Sequence, residues 1–312
     1  MSLREQLDKV RRRLEELGDQ AWALSWSKLR GRQSVEPFDG IPKFALVVVN
    51  FSTTRYLKLM LLTLAEQTPL ELLKRIVIVD NYSQDGGARF LRRLADRVDL
   101  ISLVENRLFL NHARGMRSGL TRLHELETDC DKKNRANIVI SCDSDVVFRG
   151  KDTLAKLANI FVDQKTALAG ELRHGIFPYP EAQASFIAVR LDCYARRDIA
   201  PWVNHGSPSY WQQRSIWQAG LGVQDFPSNR EGYILHRGRA GVAAAHAFSP
   251  LSSYSSIKNN EAHYMGVPDG EKIWQGIEAH WSALLEQEDE ELLIEHLVRR
   301  FIRRPSSALR NF

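Results

Sequence analysis

Four short apolar runs, each rich in β-branched residues, alternate with amphipathic stretches through the first half of the chain. A continuous apolar run of this length predicts a strand that is buried on both faces of a sheet. Strands that alternate with helices predict an α/β fold with a mainly parallel sheet flanked by helices. The predicted strands are FALVVVN (44–50), RIVIVD (75–80), DLISLVEN (99–106) and NIVISCD (137–143), and the predicted helices span 56–67, 87–98, 111–126 and 153–163.

Three of these strands end in polar residues. Asn50 ends the first, Asp80 ends the second, and Asp143 and Asp145 follow the fourth. Ligands of a parallel α/β sheet bind outside the carboxyl ends of the strands, so these side chains should meet at one rim. Two carboxylates one residue apart repel each other at the mouth of a core. A hard divalent cation would offset this repulsion, because such cations take carboxylate oxygens as ligands, so the pair predicts a metal site.

The N-terminal residues have a helical pattern with a single apolar stripe. The stripe favours a helix packed on its own domain, because it is brief for a coiled coil, and a short homodimer coil is the alternative. The composition of residues 31–42 is that of a linker. The apolar positions of the helix at 2–17 are Leu3, Leu7, Val10, Leu14 and Leu17.

Residues 271–304 also return to a helical pattern. Its last turns place an apolar side next to four arginines, which favours a helix docked on the domain. The alternative is a helix that lies on an anionic membrane face. Between the two regular parts, residues 170–250 are rich in Gly, Pro, His, Trp and Arg, which predicts irregular segments that line a cleft.

Composition narrows the classes of function. The formal net charge is +5, which is too small for a dedicated nucleic-acid binder but suits anionic substrates such as nucleotides. The three cysteines form no CxxC pair, which favours a reducing, cytoplasmic compartment over a disulfide framework or zinc site. The chain shows no apolar run near the ~20 residues of a membrane span and no apolar signal region.

The loop after the first strand distinguishes the kinds of nucleotide site. It reads NFSTTRY, without the GxGxxG of a dinucleotide fold, the GxxxxGK[ST] of a P-loop or the glycine-rich loop of a nucleotidyltransferase. Phosphate charge must then be neutralised by other means, and a cation held by Asp143 and Asp145 is the candidate.

Four segments together resemble family 2 glycosyltransferases with the GT-A fold. They are VVVNFSTTRYL, IVIVDNYSQDGG, VENRLFLNHARGMRSGL and IVISCDSDVVF, the last with the DxD motif Asp143-Ser144-Asp145. The resemblance implies an inverting enzyme that uses Mn2+ or Mg2+. It would move a sugar from a nucleotide sugar, with a UDP-sugar favoured, to a hydroxyl of a glycan or lipid-linked acceptor. It also implies a cytoplasmic protein, with contact at the inner face of a membrane as an option.

The resemblance also implies domain bounds. The GT-A catalytic domain would span 41–250, with a donor nucleotide half at 41–149 and an acceptor half at 150–250. Helical extensions would occupy 1–40 and 251–312.

Site residues follow from the same resemblance. Asp145 would bind the metal directly, Asp143 would contact ribose or the metal through water, and His236 would return to the metal or diphosphate. Each assignment has a plainer alternative: a turn at Asp80-Asn81, a solvated helix face for the arginines, a core position for His236. The implied nucleotide contacts are Asn50, Asp80, Asn81, Arg114, Arg117, Asp143 and Ser144, beside a helix start that contains Gly115 and Gly119.

The general base is the gap in the resemblance. The family often places an acidic pair at the start of a later helix, and the corresponding stretch GSPSYWQQRSIWQAG has no acid there. Asp225 is the favoured candidate, with His205 as the alternative. Two other functions stay open: a binding or scaffold subunit with weak or lost catalysis, and, more remotely, a nucleotidyltransferase.

Overall fold

A computed structural model gives the fold of the chain. It describes residues 40–108, 111–131, 134–175, 179–204, 207–248, 257 and 259–302, together with residues 6, 10, 13, 14, 17–19 and 21 near the N-terminus.

The four predicted strands are present and pair in parallel in the order β3-β2-β1-β4. Each predicted element agrees with the structure to within three residues at either end. The strands are β1 (Phe44–Asn50), β2 (Leu73–Asp80), β3 (Ile101–Glu105) and β4 (Ile138–Asp143), and the helices between and after them are α1 (Thr54–Leu64), α2 (Ala88–Arg97), α3 (His112–Thr128) and α4 (Thr153–Phe161). The α/β fold with a mainly parallel sheet is thus confirmed.

The second half is more regular than its sequence indicated, so the expectation of irregular segments over 170–250 is wrong. The sheet continues as β4-β7-β6-β8, with β7 antiparallel to both neighbours and β8 parallel to β6. A separate two-stranded ribbon joins β5 to β9. The elements are β5 (Val146–Phe148), β6 (Thr166–Arg173), β7 (Glu181–Arg190), α5 (Tyr210–Gln218), β8 (Gly222–Asp225), β9 (Ile234–His236) and α6 (Ala240–Phe248), with 3-10 turns at Leu70–Leu72 and Leu191–Ala195.

The central strands β1 and β4 of the seven-stranded sheet are buried on both faces. In β1 the side chains of Phe44, Leu46 and Val48 pack in one core with α1, α2 and α4. The alternate residues, among them Val47 and Val49, pack in a second core with α3 and α5. This double burial explains the continuous apolar runs, since no strand face needs to be polar.

The C-terminal segment forms two helices, α7 (Gly270–Leu285) and α8 (Glu291–Ile302), after a 3-10 turn at Tyr264–Gly266. The apolar side of α8 is buried in the first core, which confirms the docked interpretation. Its ends are fixed by ion pairs of Glu291 with Arg93 and Arg97, and of Arg300 with Glu66. Within the described ranges, no helix combines the length and apolarity needed to cross a bilayer.

The N-terminal residues that the structure describes are helical, and the rest of the predicted helix at 2–17 lies outside the described residues. Val10, Leu14 and Leu17 are 56%, 63% and 45% exposed. At these positions the expected packing on the domain is wrong, because the apolar stripe is not covered. Asp19, by contrast, is only 1% exposed.

Gly119 sets the distance between α3 and the sheet. A Cβ there would lie 2.6 Å from Cγ1 of Val47 and 2.9 Å from Cγ2 of Val79. We expect Gly119→Ala to destabilise the protein by about 1–3 kcal/mol, because overpacking forces the helix off the strands. The matched control is Gly276→Ala in α7, where a Cβ meets nothing within 4 Å. The control should gain about 0.5–1 kcal/mol from helix propensity. Urea unfolding followed by circular dichroism measures both; equal effects would contradict the close approach.

Candidate functional site

A cavity of about 520 Å³ opens at the carboxyl ends of the central strands. Its floor contains Val49 from β1, Asn81 after β2, and the Asp143-Ser144-Asp145 segment after β4. The other walls come from β7 and from the chain that follows β9. The predicted rim is therefore a real concave site, as expected for an open α/β sheet.

Three of the predicted residues form a candidate metal centre. Asp143, Asp145 and His236 each offer one ligand atom, and these atoms lie within 4.8 Å of one another. His236 Nε2 is 3.4 Å from Asp143 Oδ2 and 3.2 Å from Asp145 Oδ1. The ribbon brings the histidine there, because Val146, next to Asp145, pairs with His236.

The surroundings of His236 fit a divalent cation. The residue is 7% exposed, its Nε2 faces both carboxylates, and among the described residues its Nδ1 has no hydrogen-bond partner. Burial alone would lower the pKa of His236, but the charges of Asp145 and Asp143 raise it above its ordinary value. A buried imidazole and two carboxylates with spare lone pairs form a nitrogen and oxygen ligand set that Mn2+ or Mg2+ accepts.

The two carboxylates differ in their environment. Burial is the main influence on Asp143 and raises its pKa, although the charges of His112 and His236 oppose it. Burial also disfavours the charged form of Asp145, but the charge of His236 and the Ala240 amide together hold its pKa below the usual value. The Ala240 amide donates to Asp145 Oδ2 at 3.2 Å from the first residue of α6. Asp145 therefore keeps its negative charge more readily than Asp143.

His112 completes the charged end of the cavity and was missed from the sequence. It is the first residue of α3, and its Nε2 lies 3.8 Å from Asp143 Oδ1. Its ring also packs against Trp202, with ring centroids 5.9 Å apart. The only available signal was its position directly after the Asn111 N-cap of the helix that follows the third strand.

Asn50 and Asp80 lie beneath the cavity and not in its lining. Both are buried, and Asn50 Nδ2 donates to Asp80 Oδ1 at 3.2 Å. Burial raises the pKa of Asp80 above its ordinary value. Asn81 does line the cavity. Ser144 lines it too, and its hydroxyl is 2.7 Å from the Thr53 hydroxyl. The polar ends of β1, β2 and β4 thus lie together at one rim, as predicted. Asn50 and Asp80 lie under the lining residues Asn81 and Ser144 and do not line the cavity themselves.

Arg114 and Arg117 are not in the cavity lining, so the structure does not place them as direct phosphate contacts. Both pair with Asp19: Arg114 Nη2 lies 2.9 Å and Arg117 Nη2 lies 3.7 Å from Asp19 Oδ1. Arg117 Nη1 also donates to the Trp202 carbonyl at 2.6 Å. The Asn204 amide donates to Asp19 Oδ2 at 3.0 Å. The buried aspartate therefore joins the N-terminal extension to α3 and to the chain before α5.

The favoured base, Asp225, does not lie in the cavity lining. Asp225 Oδ1 accepts the Leu172 amide at 2.8 Å, and Asp225 Oδ2 accepts from Arg230 Nη2 at 2.6 Å. Its carboxylate is thus engaged at the end of β8. His205 lies outside the described residues, between Asn204 and Ser207, and its role stays a prediction.

Sequence reasoning also missed several lining residues of the second half. Two of them, Gln183 and Ser185, lie in β7, where polar residues interrupted the apolar run and the strand was not recognised. The alternation in EAQAS (181–185) was the available signal, since polar residues two apart share one face of a strand. The missed lining residues are Arg173, Gln183, Ser185, Ser207, Arg239 and His263.

Sequence comparison identifies no relative. No protein-family model matches the chain, and no curated protein matches it.

Comparison with solved structures returns distant similarity over most of the chain. TarS (1–349) of S. aureus has a TM-score of 0.48 at 11% identity, covering 84% of this chain and 88% of that chain. A second TarS structure, in complex with UDP-GlcNAc, has a TM-score of 0.47 at 11% identity, covering 84% and 81%. The Pyrobaculum calidifontis mannosyltransferase PcManGT, in complex with GDP-Man and Mn2+, has a TM-score of 0.46 at 15% identity, covering 96% and 98%.

These scores are too low to assign an activity. The class of fold follows instead from the strand order β3-β2-β1-β4-β7-β6-β8, with an acidic pair at the end of β4. The chain has an α/β, GT-A-like fold.

We expect Asp19→Ala to destabilise the protein by roughly 2–3 kcal/mol, because it removes hydrogen bonds to a charged group and leaves Arg117 partly buried without its counter-ion. The control is Asp96→Ala, which removes an exposed carboxylate from α2. Urea unfolding compares the two. If Asp19→Ala costs no more than Asp96→Ala, the proposed link between the N-terminal extension and α3 is not part of the stable fold.

Proposed function

We propose that the protein is a metal-dependent glycosyltransferase that moves a sugar from a nucleotide-diphosphate sugar to an acceptor hydroxyl. The observation that carries the proposal is the cluster of Asp143, Asp145 and His236 at the carboxyl end of β4, where all three residues line the cavity. The resemblance of the strand-end segments to family 2 glycosyltransferases supports the same assignment. PcManGT, a distant structural neighbour, is described with GDP-Man and Mn2+.

In this proposal different residues of the chain bind the nucleoside and the diphosphate of the donor. The nucleoside lies over the ends of β1 and β2, where Asn81 lines the cavity and Asp80 and Asn50 support it. The diphosphate lies near Asp143 and Asp145, with the N-terminus of α6 directed at the same point. A divalent cation held by Asp143, Asp145 and His236 would supply positive charge to the leaving diphosphate.

Two other functions fit the site less well. A nucleotidyltransferase needs a loop that cradles a triphosphate, and the loop after β1 has no glycine. A scaffold subunit that binds neither metal nor nucleotide has no need to hold two carboxylates and an imidazole together at the mouth of the core, because each carries a desolvation cost. The cluster therefore favours an enzyme.

Finer properties of the proposed enzyme are also predictions. We propose inversion at the anomeric carbon, a UDP-sugar donor and a glycan or lipid-linked acceptor, as the family resemblance implies. Contact with an anionic membrane would depend on charge, since the apolar side of α8 is buried in the core. The exposed Val10, Leu14 and Leu17 support a homodimer through the N-terminal helix. A cytoplasmic location is likewise proposed from the cysteine pattern.

The metal assignment is tested by Asp145→Asn. Wild-type protein should gain thermal stability from UDP or GDP only when Mn2+ or Mg2+ is present, since binding to the native state raises its melting temperature. Asp145→Asn should lose that gain and at least 100-fold of any sugar transfer while its own melting temperature changes little.

The control for this test is Asp152→Asn, an exposed carboxylate before α4 that pairs with Lys156. It should behave as wild type in both measurements. Metal-dependent nucleotide binding by Asp145→Asn at the wild-type level would remove the DxD assignment. Nucleotide binding by wild type without transfer or hydrolysis would favour the scaffold alternative.

The role of Asp225 is tested separately. A general base acts on the transition state, so Asp225→Asn should lose turnover and retain nucleotide binding if the predicted role is right. Arg230→Ala is the matched control, because it breaks the same ion pair and leaves the carboxylate in place. Equal and modest losses of stability in both variants, with turnover retained, would assign Asp225 to the ion pair and leave the base role to His205 or another group.

A further inference from the structure

Asp19 is a buried carboxylate of the N-terminal extension that contacts two segments beside the cavity. It is 1% exposed, although Leu17, two residues before it, is 45% exposed. A carboxylate is rarely buried to this degree unless it is paired, because the loss of hydration disfavours its charge. The partners of Asp19 therefore show what the extension contributes to the domain.

Both oxygens of the Asp19 carboxylate accept hydrogen bonds. Oδ1 accepts from Nε and Nη2 of Arg114, in the first turn of α3, at 3.0 and 2.9 Å. Oδ2 accepts from the Asn204 amide at 3.0 Å and from Nδ2 of Asn111, the N-cap of α3, at 3.4 Å. One side chain thus holds the start of α3 and the chain at 204 together.

Arg117 joins the same two segments a second time. Its Nη2 lies 3.7 Å from Asp19 Oδ1, and its Nη1 donates to the Trp202 carbonyl at 2.6 Å. Burial lowers the pKa of Arg117, and the charge of Asp19 opposes that effect. The buried carboxylate therefore stabilises the charged arginine in the position from which it reaches Trp202.

His112 lies between these segments and faces the candidate metal centre. It is the first residue of α3, and its ring packs against Trp202 with the ring centroids 5.9 Å apart. Its Nε2 is 3.8 Å from Asp143 Oδ1, and the residue lines the cavity. The ring is thus placed by α3 and by Trp202, and these are the two segments that Asp19 and Arg117 join.

We propose that Asp19 is a positioning residue, which holds His112 beside Asp143 by joining α3 to the chain at 202–204. The N-terminal extension is then part of the site, although none of its described residues lines the cavity. The consequence for function rests on the proposed glycosyltransferase activity, in which the diphosphate lies near Asp143 and Asp145. A displaced imidazole removes from that end of the cavity a group that can donate a hydrogen bond or carry positive charge.

The test compares Asp19→Asn and Arg117→Lys with the control Glu127→Gln. Asp19→Asn keeps the size of the side chain and removes its charge. Arg117→Lys keeps a positive charge beside Asp19 and removes the fork that also reaches Trp202. Glu127 is a matched control, because it is a carboxylate that is 3% exposed, lies 3.6 Å from Arg75 and belongs to the far end of the same helix.

The first measurement is the Kd of UDP at saturating Mn2+, made on the full chain. Asp19→Asn and Arg117→Lys should weaken UDP binding roughly threefold to tenfold, whereas Glu127→Gln should match wild type. Each variant is then combined with His112→Ala. If Asp19 acts through His112, Asp19→Asn should change the Kd by less than about twofold once the imidazole is absent.

The second measurement is hydrogen exchange of the free protein, which needs neither nucleotide nor turnover. In both Asp19→Asn and Arg117→Lys, exchange should be at least about threefold faster in the segments 111–117 and 199–204, because local opening of these segments becomes easier. In Glu127→Gln it should instead be faster at the Ala136 amide, which donates to the Glu127 carboxylate.

Unchanged UDP binding in both Asp19→Asn and Arg117→Lys would overturn the proposal, and so would an equal loss in Glu127→Gln. A loss in Asp19→Asn that persists in the His112→Ala background would overturn it too, because Asp19 would then act through another group. If Asp19→Asn does not fold, Arg117→Lys decides by the same criteria.

Failure of the underlying function looks different: wild type would then bind no UDP at any concentration of Mn2+. Hydrogen exchange decides in that case. Faster exchange in both segments of Asp19→Asn or Arg117→Lys, and not in Glu127→Gln, would support the positioning role of Asp19. Exchange at the wild-type rate in those segments would reject it.

Discussion

The site depends on the repulsion between two carboxylates one residue apart, the half-buried Asp143 and the buried Asp145, and on the groups that offset it. Asp143 and Asp145 project from the end of a strand whose flanks are closed by β1 and β7. The structure surrounds them with His112, His236 and the first amide of α6. Each brings full or partial positive charge, and their unequal distribution separates the pKa values of the two acids.

This constraint accounts for the path of the chain after the central sheet. His236 follows Asp145 by 91 residues in the sequence, so the chain has to come back to the end of β4 to place this histidine beside the acidic pair. The β5–β9 ribbon provides the return, and it begins directly after Asp145. The chain then forms a turn at Gly238, whose backbone lies against His263. The helix α6 starts two residues later with its amide on Asp145. The ribbon, the turn and the helix together position the His236 ring and the Ala240 amide beside the acidic pair.

The sequence predicted the first half of the fold well because one physical pattern dominates it. Strands such as β1, buried on both faces, are continuous apolar runs, and the helices between them are amphipathic. The second half lacks that uniformity. β7 combines buried apolar residues with Gln183 and Ser185, which face the cavity because of a bulge. A bulge has no reliable period, so neither the strand nor the direction of its side chains follows from periodicity.

The strand-end signal in the sequence was enough to place Asp143 and Asp145 at the site, since parallel strands end at one rim. Asn81 and His236 were expected there only from the family resemblance. Arg114 and Arg117 fitted a helix start, but a distant buried carboxylate, Asp19, binds them instead. Such pairing over 95 residues depends on tertiary packing, which single-sequence patterns do not encode.

The same tertiary contacts explain how the two ends of the cavity can differ in charge while sharing one wall. The end of the cavity at Asp143 and Asp145 draws its positive groups from α3, β9 and α6. The β7 end has its own closed pair of Arg173 and Glu181 and needs no counter-ion from outside. Coulomb attraction falls with distance and is screened, so a balanced pair contributes little field at the acidic end.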